Sequence, residues 1–250
     1  MYLATCAARE TAVLKALSRF DAFEIPRIAA EGEIEAWPYL VLTRLEGRPL
    51  DEIWEALPLC ARRQLASSLG SAVAALQAFP ITSLQGVLDA WPGSWQDQVS
   101  ACLDRQRELG VSAAWIAQLA AFLDSSLPLL SAPFQPVLLH ADLNPEHLFC
   151  QETPSGWQVS GVIDFADALL GHPFYEWVRP AHTLHFEPSL LRTMFNAAGF
   201  SAAHLDPAFS QAMLAFTLLH RFSSLPELFK LLAPSAPTDL NALQSALWSL

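Results

Sequence analysis

Residues 140–147 read HADLNPEH and residues 161–167 read GVIDFAD, and the relation between these two stretches decides the fold. Ahead of the first lies PVLLH (136–140), a short apolar run that reads as a buried strand. A polar stretch over 141–146 leaves that strand, and His147 opens the next one over 147–150. The chain returns over 157–165 after a turn at Pro154-Ser-Gly156. Short hairpins fold a chain back on itself. Asp142, His147 and Asp164 therefore meet at one mouth of these strands, although 22 positions separate the two aspartates. Two carboxylates and an imidazole at strand ends suit a divalent cation together with a general base. A hard cation such as Mg²⁺ prefers carboxylate oxygens and retains waters.

Outward from this centre the pattern changes. Residues 10–20 read as a helix with apolar positions at Val13, Leu14 and Leu17, and two strands follow over 28–34 and 39–45, with a polar break at Glu31-Gly32-Glu33. The stripe Leu65, Leu69, Val73, Leu76 and Phe79 marks a helix over 62–79 that lies against a core. Further helices are expected over 95–108 and 111–130, separated by Gly110. After Pro173 helices run to the end, broken near Gly199, Pro207 and Pro234–Pro237, and no internal repeat appears.

Composition sets the boundaries. Of 250 residues, 52% are hydrophobic and 16% charged, which excludes a disordered chain. The mean hydropathy of +0.28 raises the question of a membrane span. The best apolar run covers 113–123 and contains Gln118, well short of the ~20 residues a span requires, and the first ten residues lack the basic start of a secretory leader. A soluble, cytoplasmic chain with no membrane partner is expected. Twenty-five acids against fourteen bases leave a net charge of −11 without a basic stripe, which argues against nucleic acid as a partner. The cysteines at 6, 60, 102 and 150 form no CxxC pair and read as reduced thiols packed as small hydrophobes.

In its order and spacing the HxD plus IDF pair resembles the catalytic segment of the aminoglycoside phosphotransferase and choline-kinase-like families. The resemblance extends to RETAVLKAL (9–17) as their first helix and YLVLTRLEG (39–47) as the strand and hinge that hold adenine. It continues through the helix over 69–77 and GHPFYE (171–176) as a helix start, and it spans residue 9 to about residue 225. It implies an α+β, protein-kinase-like fold. Residues 1–47 would form an incomplete, N-terminally truncated small lobe, and 48–250 a large, mainly helical lobe carrying short β-hairpins. It also implies ATP (or GTP) and Mg²⁺ as cofactors, and a small hydroxylated molecule as phosphoryl acceptor. Asp142 matches the catalytic aspartate, Asp164 the aspartate that holds the metal, and His147 the second metal position, usually Asn. In the hinge, the Thr43 carbonyl and Leu45 N–H would meet the adenine edge with Leu42 behind them.

The same resemblance defines what this chain lacks. Such kinases carry a Gly-rich hairpin and a strand lysine that grips the phosphates and pairs with a helix Glu, here Glu10; nine residues precede Glu10 and none is Lys. Either residues 2–5 form that strand, with Ala4 where Lys is expected, or the strand is absent. Three readings stay open: a fragment of a longer enzyme, a decayed enzyme of low activity, or a catalytically dead kinase-like module that binds a ligand. The remaining polar residues have bland readings beside functional ones. His172 is a helix-start residue where the family has Asp, and Glu176 pairs with a base or lines the acceptor site. His182 and His185 lie on one helix, and Asp167, Glu187 and Asp206 offer an acidic wall to a polyamine acceptor.

Overall fold

The computed structural model describes residues 2–250, with side chains from residue 5 onward. It opens with helix α1 (Tyr2–Ala16), so residues 2–5 are helical and no strand forms there. Val13, Leu14 and the following Leu17 are buried, as their spacing predicts. Strands β1 (Ile28–Ile34) and β2 (Trp37–Leu42) form an antiparallel hairpin. Its turn is Glu35-Ala36, both at positive φ, the geometry of a two-residue hairpin loop. The expected break at residues 31–33 is continuous strand instead. Gly32 faces Tyr39 across the ladder, and a β-carbon there would meet the Tyr39 hydroxyl at 2.6 Å. That glycine makes room for a ring and does not turn the chain.

Strand β3 (Arg48–Pro49) leads into the short α2 (Leu50–Ile53) and then α3 (Leu59–Gln77). Leu65, Leu69, Val73 and Leu76 bury the predicted stripe of α3. Helices α4 (Trp95–Glu108) and α5 (Ala113–Leu130) begin at Ser94 and Ser112, whose side chains accept the Asp97 and Trp115 amides. The apolar stretch of α5 is longer than the sequence run suggested: its 18 residues are long and apolar enough to cross a membrane by length and composition. In this fold Ile116, Leu119, Leu123 and Leu130 bury one face of it, and α5 packs on α4 and on the helix 207–219.

Strands β4 (Val137–Leu139), β5 (Leu148–Thr153), β6 (Gly156–Val162) and β7 (Leu169–Gly171) complete two further small sheets, with order β3-β5-β6 and β4-β7. Leu148 pairs with Val162 and Leu139 with Leu169, so the connections 140–147 and 163–168 emerge side by side. Residue 24 adds to the same layer: its N–H donates to the Ser160 carbonyl at 2.8 Å and its carbonyl accepts the Val162 N–H at 3.0 Å.

The remainder is helical: α6 (Pro173–Glu176), α7 (Val178–Thr183), α8 (Pro188–Ala197), α9 (Pro207–Leu219), α10 (Leu225–Leu231) and α11 (Leu240–Trp248). Helix α9 is buried on almost every side, including every residue from Ala212 to Leu219. His182 lies on α7, whereas His185 follows that helix at positive φ and is exposed, so the two do not share a helical face. The four cysteines are free; Cys102 and Cys150 pack as hydrophobes, but Cys60 is exposed.

Helices α3 and α8 cross at Gly70, where a methyl group would collide with the backbone carbonyl of Met194. Gly70→Ala should therefore separate the helices. A loss of about 2 kcal/mol is expected in urea unfolding, despite the better helix propensity of alanine.

Candidate active site

The HADLNPEH connection is held from three sides. Leu139 ends β4, and His140 follows with no solvent exposure. Its Nδ1 accepts the Asp142 N–H at 3.3 Å, which places the proton on Nε2, 2.8 Å from the Ile163 carbonyl. One imidazole thereby bridges the loop carrying Asp142 and the loop carrying Asp164. Burial pushes His140 down to about 4, so the ring is neutral at physiological pH.

Ala141 adopts φ +65°, a left-handed conformation that costs a non-glycine residue ~1–2 kcal/mol. Its N–H is captured by Glu176 Oε2 at 3.1 Å. Glu176 is 1% exposed, and burial raises its carboxyl to about 7. It is therefore a clamp on the loop, neither a ligand-lining acid nor the partner of a base.

Below these contacts sits Asp142, whose side chain is 15% exposed. Its Oδ1 accepts the Asn144 amide at 2.7 Å and lies 4.0 Å from Arg179 Nε. Desolvation raises its pKa; His147 and Arg179 pull the other way. A carboxylate raised toward neutrality is better matched to accept a proton from an alcohol.

His147 closes a single 3₁₀ turn over Pro145–His147, one residue before β5 begins, and does not open the strand itself. Its Nδ1 lies 2.7 Å from the Asp142 backbone carbonyl, which can only accept, so Nδ1 carries a proton and donates it. The other ring nitrogen, Nε2, is 3.5 Å from Asp164 Oδ2. Asp164 itself sits at φ +65° and caps the turn after it by accepting the Ala166 N–H at 3.3 Å.

Asp142, His147 and Asp164 thus converge, in the order the strand ends impose. Among the described residues, no group of three or more His, Cys, Asp or Glu side chains is placed to hold a metal ion. What the fold offers a cation is the pair His147 Nε2 and Asp164 carboxylate. The Asp164 carboxylate suits Mg²⁺ bound mainly through phosphate and water oxygens, while an imidazole nitrogen is an unusual ligand for so hard a cation.

The hinge residues are placed elsewhere. Strand β2 stops at Leu42, and Thr43 is tied back to Arg27: its N–H donates to the Arg27 carbonyl at 2.9 Å and its hydroxyl accepts the Arg27 N–H at 2.8 Å. Thr43, Arg44 and Leu45 border a cavity of about 1350 Å³, together with residues 20–31, α3 and β6. Leu42, Asp142, His147 and Asp164 are not in its wall, so the structure does not join the hinge and the acids in one cavity.

Glu10 on α1 faces the Asp164 loop. Burial and the nearby Asp164 charge raise its pKa, while an amide hydrogen bond from Phe165 lowers it. The chain has only two lysines, Lys15 and Lys230, and each is engaged elsewhere, with Glu31 at 2.8 Å and Glu227 at 2.6 Å. The residues proposed as an acidic wall are also committed. Asp167 pairs with Arg221 at 2.9 Å, and Glu187 and Asp206 cap α8 and α9. His172 caps α6 in the same way, its Nδ1 accepting the Phe174 N–H at 3.1 Å. Sequence reasoning missed Arg179 and Arg221; the available signal was a lone arginine inside an otherwise apolar segment in each case.

A family model described as "Phosphotransferase enzyme family" matches residues 2–211. Among curated protein sequences none matches the chain. Similar solved structures include a GDP and kanamycin complex of APH(2")-IIIa, 18% identical over 98% of this chain and 81% of that one, with a TM-score of 0.72. Another is APH(3'')-Id from Streptomyces rimosus with ADP and streptomycin, 18% identical over 87% of this chain and 83% of that one, at 0.61. A third is a macrolide 2'-phosphotransferase type I, 20% identical over 96% of this chain and 76% of that one, at 0.60. At these identities the likeness carries the fold: mixed α and β, kinase-like.

Because its pKa rises from an ordinary 4.5 to about 7, Glu176 stabilises the fold fully below about pH 4.5, and that contribution is lost as pH rises through 7. Glu176→Gln keeps an acceptor for the Ala141 N–H and removes the ionisation. The difference in thermal midpoint between variant and parent should shift in the variant's favour from about pH 5 to about pH 8. A pH-independent difference contradicts the assignment.

Proposed function

The chain belongs to the phosphotransferase enzyme family, and from that premise we propose that it moves the γ-phosphoryl group of ATP, or GTP, to a hydroxyl of a small molecule. The observation that supports this most directly is the placement of one imidazole between two aspartates. His147 donates its Nδ1–H to the Asp142 backbone carbonyl and turns Nε2 to Asp164. In the proposed reaction, Asp142 orients the acceptor hydroxyl and takes its proton. The acceptor oxygen then forms a bond to the γ-phosphorus as the bond from that phosphorus to the β-bridging oxygen breaks, releasing the nucleoside diphosphate. His147 and Asp164 would hold Mg²⁺, which when bound neutralises charge on the phosphates. His140 and Glu176 are positioning residues that keep Asp142 and Asp164 in register. Leu42, Thr43 and Leu45 are assigned to the purine, on the strength of their place at the end of β2 and just after it. The unpaired thiols fit a cytoplasmic setting.

One observation favours a second reading, a kinase-like module that binds nucleotide with little turnover. No lysine is free to meet Glu10, whose carboxylate lies instead in the field of Asp164. Without a lysine to share the phosphate charge with the metal, part of the electrostatic stabilisation of the transition state is forgone.

The two readings separate on two variants. Specific binding of ATP with Mg²⁺ should raise the unfolding temperature, equivalent to about 2.7 kcal/mol at a hundredfold excess over Kd, and Asp164→Ala should abolish the rise. Asp142→Asn should keep the rise and lower phosphoryl transfer by about 10²–10⁴. A rise without transfer in the unmodified protein selects the binding module. No rise at all refutes both.

A further inference from the structure

A second cavity, of about 450 Å³, lies among α7, α9 and α10, and Arg179 belongs both to its wall and to the surroundings of Asp142. We propose that this cavity takes the acceptor, and that the acceptor is a hydroxylated carboxylate with a partly apolar body rather than a polyamine. The inference rests on the transfer reading above for the word acceptor, but the carboxylate site is argued from its own wall.

The wall contains one acid, Glu227, and that acid is bonded to Lys230 at 2.6 Å. No carboxylate is left for an ammonium group, and the acids that a polyamine would need are spent on Arg221 and on helix caps. Donors, by contrast, lack hydrogen bonds, although Arg179 is ion-paired with Asp142. Arg179 Nε, His220 Nε2 and Ser223 Oγ are buried without a hydrogen-bond partner. His220 Nδ1 accepts the Phe222 N–H at 3.3 Å, so its proton sits on Nε2 and that atom is a donor too. Burial keeps His182, pushed down to about 4, and His220 uncharged. The wall therefore offers one guanidinium and neutral donors, which suits a single negative charge, and Val178, Phe186, Leu228 and Leu231 supply an apolar body site.

Arg179 also explains why the charge matters to the reaction. Its Nε lies 4.0 Å from Asp142 Oδ1. When Asp142 takes the hydroxyl proton it loses its charge, and a carboxylate on the acceptor then balances the half-buried guanidinium. A hydroxyl on the carbon next to that carboxylate is brought toward Asp142 by the same contact.

The test is calorimetric titration of the whole protein, near neutral pH, with three probes that share a phenyl body and a hydroxyl: mandelate, mandelamide and 2-amino-1-phenylethanol, with kanamycin as a polycation. Mandelate should bind about tenfold or more tighter than the amide, the amine and kanamycin. Arg179→Met should erase that preference while leaving mandelamide within about twofold of its original affinity. If the variant fails to fold, the ranking in the unmodified protein decides alone. Equal or tighter binding of the amine or of kanamycin, or no binding of mandelate, overturns the proposal. The titration is repeated beside the ATP and Asp164→Ala measurement. Mandelate binding without a nucleotide effect refutes the transfer reading and keeps the carboxylate site; the converse refutes the carboxylate site alone.

Discussion

The ring of His140, sealed from solvent, takes the Asp142 amide on one nitrogen and gives the proton of the other to the Ile163 carbonyl. Everything at the site hangs on that bridge. The two loops it connects leave different small sheets, β4-β7 and β5-β6, so neither ladder by itself sets the distance between Asp142 and Asp164. A charged ring could not serve there, because one of its nitrogens must accept, and the buried surroundings keep it neutral. Breaking such a contact leaves a partly buried carbonyl and a partly buried amide without these partners.

Around this bridge the fold accepts local strain and half-buried charge together. Ala141 and Asp164 both sit at φ +65°, and both are held by a carboxylate reaching an amide, from Glu176 to Ala141 and from Asp164 itself to Ala166. Strained residues persist where their neighbours over-determine them; at Ala141 the contact comes from 35 positions away, at Asp164 from its own turn. The same burial that holds the loop raises Asp142, Glu10 and Glu176 together, so desolvation is the leading influence on all three carboxyl groups. Arginine answers it locally: Arg9 reaches the Ala166 carbonyl at 3.0 Å, and Arg221 holds Asp167. These guanidiniums are engaged with the loop and leave the acceptor cavity with Arg179.

Much of the architecture was legible because its signals are local. The stripe on α3 follows from its apolar period, and the structure places it, the helix over 95–108 and the strand over 28–34 within a few residues of the reading. The misreadings share a cause. Glu31-Gly32-Glu33 reads as a polar break because none of the three is apolar, yet Gly32 is there to clear Tyr39 seven positions on. His182 and His185 looked like one helical face because the spacing is right, but the chain leaves the helix between them. Asp167, Glu187 and Asp206 looked like free acids because a sequence does not display the amides and guanidiniums that consume them.

The order of residues places a pair of aspartates at strand ends with His147 beside them, and its resemblance to a known family implies a kinase-like mixed fold with neither of the two lysines where a phosphate grip is expected. Folding decided the rest: that His147 presents Nε2 to Asp164, that Glu176 clamps Ala141, and that Arg179 stands between Asp142 and a cavity with no free acid. The reason is physical. Periodicity and turn chemistry act over a few neighbouring residues and leave a trace in the letters. Tautomers, desolvation and charge pairing are set by groups that meet only when segments 20 to 120 positions apart are packed together.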